Sequence, residues 1–117
     1  MKYYVLKYRL PMSHSSTMQK ENSHHHVIEI TVQAEYDQQT FIEFQDMERV
    51  LNQCLDPYKN QYLNEMEEFH EDTSIENITE VFYEKLSQAF ANEGWNLTKI
   101  EVGENPLRVY IIQTNHI

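Results

Sequence analysis

Glycine and proline are scarce in this chain, two and three residues out of 117, which excludes flexible low-complexity linkers and leaves no obvious domain boundary. Cysteine occurs once, as Cys54, so an internal disulfide is ruled out and a reducing compartment is the expectation. Basic residues are also few. Nine Lys and Arg against nineteen Asp and Glu give a net charge of −10, and such a chain repels the phosphates that nucleic-acid binding must neutralise. No apolar run approaches the ~20 residues needed to cross a membrane, and no charged leader with an apolar segment and cleavage site is evident. The expected protein is cytoplasmic, with a small molecule or another protein as its partner.

What is present is enough for one folded domain over residues 1–117. Hydrophobic residues make up 40% and aromatics 12%, and a chain of this length can bury a core of useful size. No internal repeat is seen.

The most informative stretch is His24-His25-His26-Val27-Ile28-Glu29-Ile30-Thr31-Val32. Its β-branched residues predict a strand, in which His24, His26, Ile28, Ile30 and Val32 share one side. Two imidazoles then sit at the mouth of an apolar face, with backbone positions ~7 Å apart, within reach of one ion. His14, across a polar loop, can return as a third ligand. Three histidines with an open position describe a catalytic zinc site better than a closed structural one. A solvated run of histidines is the competing reading.

The remaining chain divides by periodicity. Residues 2–10 alternate Lys7 and Arg9 with Leu6, Tyr8 and Leu10, a first strand that Pro11 should end. Residues 12–23 carry no period and read as a loop holding His14, Lys20 and Glu21. The histidine strand runs to about Tyr36, and residues 37–39 form its turn. Phe44, Met47, Leu51, Cys54 and Leu55 then mark one stripe of a helix closed by Pro57. Cys54 on that stripe is expected to be a small core residue. Residues 57–72 read as an acidic connection with a short helical turn near 64–69 and its charge in solvent. Thr73-Ser74-Ile75-Glu76 fits a capping box opening a second helix. Its stripe is Ile75, Ile78, Phe82, Leu86, Ala89 and Phe90, and Gly94 suits the left-handed position beyond it. Residues 95–102 and 107–113 are strands separated by a turn at 103–106. The order β-β-α-α-β-β, with both helices able to cover one face of a four-stranded antiparallel sheet, makes the class α+β.

In this order the residues resemble the 6-pyruvoyl-tetrahydropterin synthase and 6-carboxytetrahydropterin synthase family, along nearly the whole chain. His14, His24 and His26 stand where the family has a first-strand histidine and a His-Gly-His that bind zinc. Phe41 to Met47 is similar to the family's apolar-acidic-Phe start of the first helix. Leu55-Asp56 and then Leu63-Asn64 resemble its Leu-Asp-His followed by Leu-Asn, and Ser74-Ile75-Glu76-Asn77 resembles its Thr-Ala-Glu-Asn. Glu104 corresponds to the glutamate between the last two strands.

The resemblance implies a T-fold that binds a reduced pterin, with zinc on the three histidines and ring-shaped trimers stacked as hexamers. Exposed sheet edges give self-association an independent physical reason. Glu104 is then the pterin anchor, since a carboxylate accepts two adjacent N–H donors at once, whereas without the resemblance it is an ordinary turn glutamate. Ser74 and Glu76 are implied as substrate-binding residues, and Glu21 or Asp56 as the group that transfers the proton. Zinc with an open position polarises a substrate hydroxyl or carbonyl. The departures are equally specific. Family synthases mostly carry a catalytic cysteine before the His-Gly-His, and here Glu21 stands in that loop, as in members that make a hydroxymethyl pterin for folate synthesis. Pro57 replaces the family's partner histidine, which leaves His70 as a spatial substitute. His25 replaces a glycine and should face away from the ligands. For an anionic triphosphate, Lys7, Arg9 and Lys20 are the basic residues near the proposed site. The expectation is a zinc-dependent, carbon–oxygen lyase or aldol-type pterin enzyme; the alternative is a non-catalytic relative that binds metal or a pterin-like ligand.

Overall fold

The computed structural model describes residues 2–15, 24–36 and 41–114. Four strands form one antiparallel sheet in the order of the chain: β1 (Tyr4–His14), β2 (His24–Glu35), β3 (Asn96–Asn105) and β4 (Arg108–Gln113). Between β2 and β3 lie helices α1 (Phe44–Leu55) and α2 (Ile75–Asn92), joined by three single 3-10 turns. The class is α+β, as the alternating and three-four periods predict, and both helices cover one face of the sheet.

Alternation along the strands decides that face. Leu6, Tyr8, Leu10 and Met12 of β1, Ile28, Ile30, Val32 and Ala34 of β2, and Ile100 and Val102 of β3 are all buried. Against them pack Met47, Val50, Leu51 and Leu55 of α1 and Ile78, Phe82, Leu86 and Phe90 of α2. Phe44 departs from the expected stripe. It is half exposed in the first turn of α1 and packs edge to face with Tyr4.

The segment between the helices is more deeply packed than its charge suggests. Tyr58, Leu63 and Phe69 are essentially inaccessible, and Tyr58, Phe69 and Phe82 meet edge to face with centroids 5.0 to 6.0 Å apart. Three 3-10 turns, Asp56–Tyr58, Leu63–Glu65 and Glu67–Phe69, replace the single expected one. They fold the chain back so that its aromatics point inward while its carboxylates stay wet.

Three boundaries move. β1 does not end at Pro11 but continues to His14. The Pro11 carbonyl accepts from Asn60 N at 2.7 Å on the outer edge of the sheet. In an antiparallel strand a residue's N–H and C=O point the same way, so the missing proline N–H also lies on that edge and no bond to β2 is lost. The cap of α2 is Ser74 rather than Thr73, and its hydroxyl accepts from Asn77 N at 3.2 Å. The last turn is only Pro106-Leu107, so Gly103 and Glu104 belong to β3. Gly94 has φ +83°, the left-handed conformation expected there.

Gly103 and Glu104 together stand opposite Val109, between the pairs Val102 with Tyr110 and Asn105 with Arg108. This is a β-bulge, and it depends on a missing side chain. A Cβ on Gly103 would lie 2.7 Å from the Arg108 carbonyl oxygen and 3.0 Å from Val109 Cγ1. Because the nearer atom is backbone, Gly103→Ala should force β3 and β4 apart and cost about 1–3 kcal/mol in urea unfolding. An unchanged midpoint would show that the bulge opens freely.

Candidate metal and ligand site

The site begins with strand register. β1 and β2 pair so that Met12 stands opposite His26 and His14 opposite His24. His14 lies on the same side of its strand as Leu10 and Met12, and His26 on the same side as Ile28 and Ile30. Each is therefore the continuation of a buried apolar row into the open end of the sheet. The two rings meet edge to face, 4.9 Å between centroids. The backbone of His24 is in place across from His14, whereas its side chain, like Glu21 and Lys20, lies outside the described residues.

His14 is held from both sides. Its Nδ1 is 3.1 Å from the carbonyl oxygen of Thr73, and its Nε2 is 3.1 Å from Glu104 Oε1. A carbonyl can only accept, so Nδ1 donates to Thr73; Nε2 faces the Glu104 carboxylate, also an acceptor, and is the nitrogen that can exchange a proton for a cation. Among the described residues, one ligand atom from each of His14, His26 and Glu104 lies within 4.8 Å of the others. In a tetrahedral zinc site with bonds of ~2.0–2.1 Å, ligand atoms stand about 3.4 Å apart. The His14–Glu104 separation already approaches that spacing, and the nitrogen–oxygen donor set suits zinc.

These groups open into a cavity of 430 Å³ lined by His14, His26, Glu104, Ser74, Glu71 and Asp72, among others. Hydrogen bonds from the N–H and hydroxyl of Ser74 hold the Asp72 carboxyl below its ordinary range, which keeps negative charge at the rim. Glu104 also lines a neighbouring cavity of 380 Å³ with Ile75, Glu76, Arg108 and Tyr110. Ser74, Glu76 and Glu104, which the sequence pattern nominates for substrate, thus flank one cleft. The Ser74 hydroxyl is engaged as the α2 cap.

Other nominated residues lie elsewhere. Asp56 accepts from Tyr8 Oη at 2.5 Å and pairs with Lys59 Nζ at 3.2 Å. Tyr8 stands six strand residues from His14, ~20 Å along β1, so Asp56 is not brought to the histidines. Its commitment to Tyr8 lowers its pKa, and burial together with Asp56 raises that of Tyr8. Lys7 and Arg9 sit on the opposite face of the sheet, paired with Glu29 at 3.3 and 3.7 Å. There they line a cavity of 460 Å³ that Glu104 also borders. His25 is exposed. His70, at φ +50°, borders a different hollow with Glu65, Glu67 and Glu71. Cys54 is a partly buried thiol whose pKa burial pushes up, consistent with core packing rather than catalysis.

Thr73, Ser15 and Asn64 adjoin His14, and none of them is nominated as a site residue by the sequence pattern. All three are buried. Thr73 acts through a backbone oxygen, which carries no residue-type signal. Asn64 was visible only as the second half of a Leu-Asn pair.

With fold and geometry in hand, likeness to known proteins is specific. Residues 4–115 match the family model described as 6-pyruvoyl tetrahydropterin synthase. The chain belongs to that family. Among solved structures, the 6-pyruvoyl tetrahydropterin synthase of Caenorhabditis elegans superposes with a TM-score of 0.71 at 17% identity, covering 98% of both chains. That of Plasmodium vivax gives 0.54 at 10% identity over 99% of this chain and 100% of the other. An uncharacterised protein of Wolinella succinogenes gives 0.56 at 10% identity, over 98% and 100%. At these identities the likeness concerns the fold. A search of the curated proteins finds no match.

The Tyr8–Asp56 contact sets a pH test. A carboxyl whose folded-state pKa is lowered adds stability above its ordinary value of 3.8 and loses it as pH falls through the lower, folded value. The stability gap between wild type and Tyr8→Phe should be constant near neutrality and shrink below about pH 4. Urea unfolding across a pH series reads this, and a gap that persists to about pH 2 would assign it to packing alone.

Proposed function

We propose that this chain is a zinc-dependent enzyme of the 6-pyruvoyl- and 6-carboxytetrahydropterin synthase type, acting on dihydroneopterin triphosphate or a related reduced pterin. One observation carries the reading: the Thr73 carbonyl engages His14 Nδ1, which leaves Nε2 toward Glu104 in a group where His14, His26 and Glu104 each bring a ligand atom within 4.8 Å of the others. An ordinary surface histidine has no need of such an arrangement. His14, His24 and His26 would hold the metal, His24 being the backbone partner of His14 across the two strands. Zinc bound there supplies a Lewis acid that polarises a hydroxyl or carbonyl on the substrate side chain and acidifies the adjoining C–H bonds.

The chain's own residues would do the rest. Glu104 stands at the junction of three cavities, where its carboxylate can accept paired N–H donors from a pterin ring. Ser74 and Glu76, at the start of α2, bound the same cleft. Proton transfer falls to Glu21, a reading supported by the Plasmodium vivax enzyme, in which replacement of a glutamate by cysteine or alanine is described as mutation of a catalytic residue. Self-association into a trimer or hexamer fits an outer sheet face that exposes Val5, Val27, Val109 and Ile111. No described helix is long and apolar enough to cross a membrane.

A non-catalytic relative is the second reading, favoured by Pro57 in the place of the family's histidine and by a lone cysteine packed in α1. Metal analysis of protein purified without added zinc, followed by incubation with dihydroneopterin triphosphate, separates the two. About one zinc per chain with a new pterin product supports the enzyme; zinc or pterin bound without product supports the relative; neither sinks the site. In the enzyme, Glu104→Gln should lower kcat/KM by about 10- to 100-fold, because a charge-assisted acceptor of two donors is lost. Glu21→Gln should abolish turnover while zinc content stays, and full turnover in that variant would remove Glu21 from the chemistry.

A further inference from the structure

We propose that Asn64 is the positioning residue of the histidine cluster, a single buried amide that fixes both the backbone and the ring of His14. His14 is the last residue of β1, a place where strands ordinarily fray. Just beyond it, Ser15 N donates to Asn64 Oδ1 at 2.9 Å, and Asn64 Nδ2 donates to the Ser15 carbonyl at 2.9 Å. One side chain thereby serves both backbone groups of Ser15, as a neighbouring strand would. The same Oδ1 accepts from Thr73 Oγ1 at 3.1 Å, and Thr73 is the residue whose carbonyl receives His14 Nδ1–H.

The Asn64 amide therefore joins the residue after His14 to the residue that orients its imidazole. Ser13 N to Gln61 O, at 2.9 Å, and Ser15 Oγ to Tyr62 Oη, at 2.6 Å, tie the same segment to the strand from either side. Asparagine is required by its functional groups. Aspartate lacks the donor for the Ser15 carbonyl and would bury a charge, leucine lacks both groups, and glutamine sets them one methylene too far. At 4% exposure, water cannot substitute for the missing partner.

A merely structural role predicts that Asn64 variants lower stability and nothing more. A positioning role predicts a change in the His14 ring before any metal is added. In 15N-labelled, metal-free protein in mildly alkaline buffer, the wild type should show a slowly exchanging His14 Nδ1–H. Asn64→Leu should lose that signal while the circular dichroism of the sheet and helices remains. Its affinity for cobalt(II), read by visible absorption, should fall about 10- to 100-fold, the range for disturbed outer partners of a ligand. Phe69→Leu, a core change in the same segment, should lower the unfolding midpoint yet keep the signal and the affinity. If Asn64→Leu does not fold, Thr73→Val, which keeps the carbonyl and removes the hydroxyl, should weaken the signal and the affinity in the same direction.

The cobalt arm rests on the metal reading above, and the imidazole arm does not. A wild type that binds no cobalt defeats the metal reading, while the Nδ1–H signal still decides the role of Asn64. Persistence of that signal in a folded Asn64→Leu, or equal loss of signal and affinity in Phe69→Leu, overturns the proposal.

Discussion

The hydrogen bond between the Thr73 carbonyl and the His14 ring is the contact on which the cleft depends. It spans 59 residues of chain and joins the end of an edge strand to the turn before a helix, two places that would otherwise be free to drift. The pairing of β1 with β2 sets the histidines side by side, but pairing alone leaves an imidazole able to rotate and to exchange tautomers. A fixed acceptor on one nitrogen removes both freedoms and leaves the other nitrogen facing Glu104. Thr73 precedes the Ser74 cap, so its carbonyl takes no part in the α2 ladder and accepting from the imidazole costs the helix nothing. The turn itself is held by Ser74, Asp72 and Asn77, whose side-chain amide also donates to the carbonyls of Phe69 and Asp72 at 2.9 and 2.7 Å.

The fold supports this junction through a division of labour between the faces of the sheet. The buried rows Leu6, Tyr8, Leu10, Met12 and Ala34, Val32, Ile30, Ile28 run up to the histidines, so the cluster is anchored in the core layer and only its last residues meet the cavity. The bulge at Gly103 and Glu104 is the counterpart on the other side of β2. Glu104 continues the even-numbered inward row of Ile100 and Val102 along a regular pairing with β2, Val102 opposite Ile30 and Gly103 opposite Glu29, while the two-against-one irregularity falls on the β4 side. A glycine is needed there because the Arg108 carbonyl occupies the space of a side chain.

Most of this architecture was legible as periodicity. Strand alternation in residues 24–34 and the three-four spacing of Ile78, Phe82, Leu86 and Phe90 report burial directly, because the side chains that fill a core are the ones a pattern sees. The parity of β1 also contained more than a first reading takes from it. Lys7 and Arg9 are odd-numbered where Leu10, Met12 and His14 are even, which already places them on the far face of the sheet. Other features were not legible in principle. Pro11 continues a strand because its bare nitrogen happens to face the outer edge. Thr73 acts through its carbonyl. The cap falls one residue later than the motif suggests because Thr73 is drawn inward to Asn64. Each of these is decided by a neighbour distant in sequence, and local propensity carries no record of it.

The fate of Asp56 shows how the chain differs from the pattern it resembles. In sequence this carboxylate stands where a proton-transferring partner is expected, followed by Pro57 in place of histidine. In the structure it accepts from Tyr8 and pairs with Lys59, and both contacts stabilise its anion. Stabilising the anion lowers its affinity for a proton, so Asp56 is a weaker base than a free carboxylate and stands far along β1 from the histidine cleft. Tyr8 is pushed the opposite way and holds its proton more firmly. The pair is therefore a stable lock on the edge of the core, between β1 and the end of α1, and not a relay. Among the described residues, the carboxylates that remain within reach of His14 are those lining its cavity, Glu104, Glu71 and Asp72. Asp72 is committed to Ser74 at the helix start. Of these three, Glu104 alone both contacts a histidine nitrogen and faces the second cavity, so the arrangement of negative charge around a ligand there is set chiefly by the end of β3 that carries it.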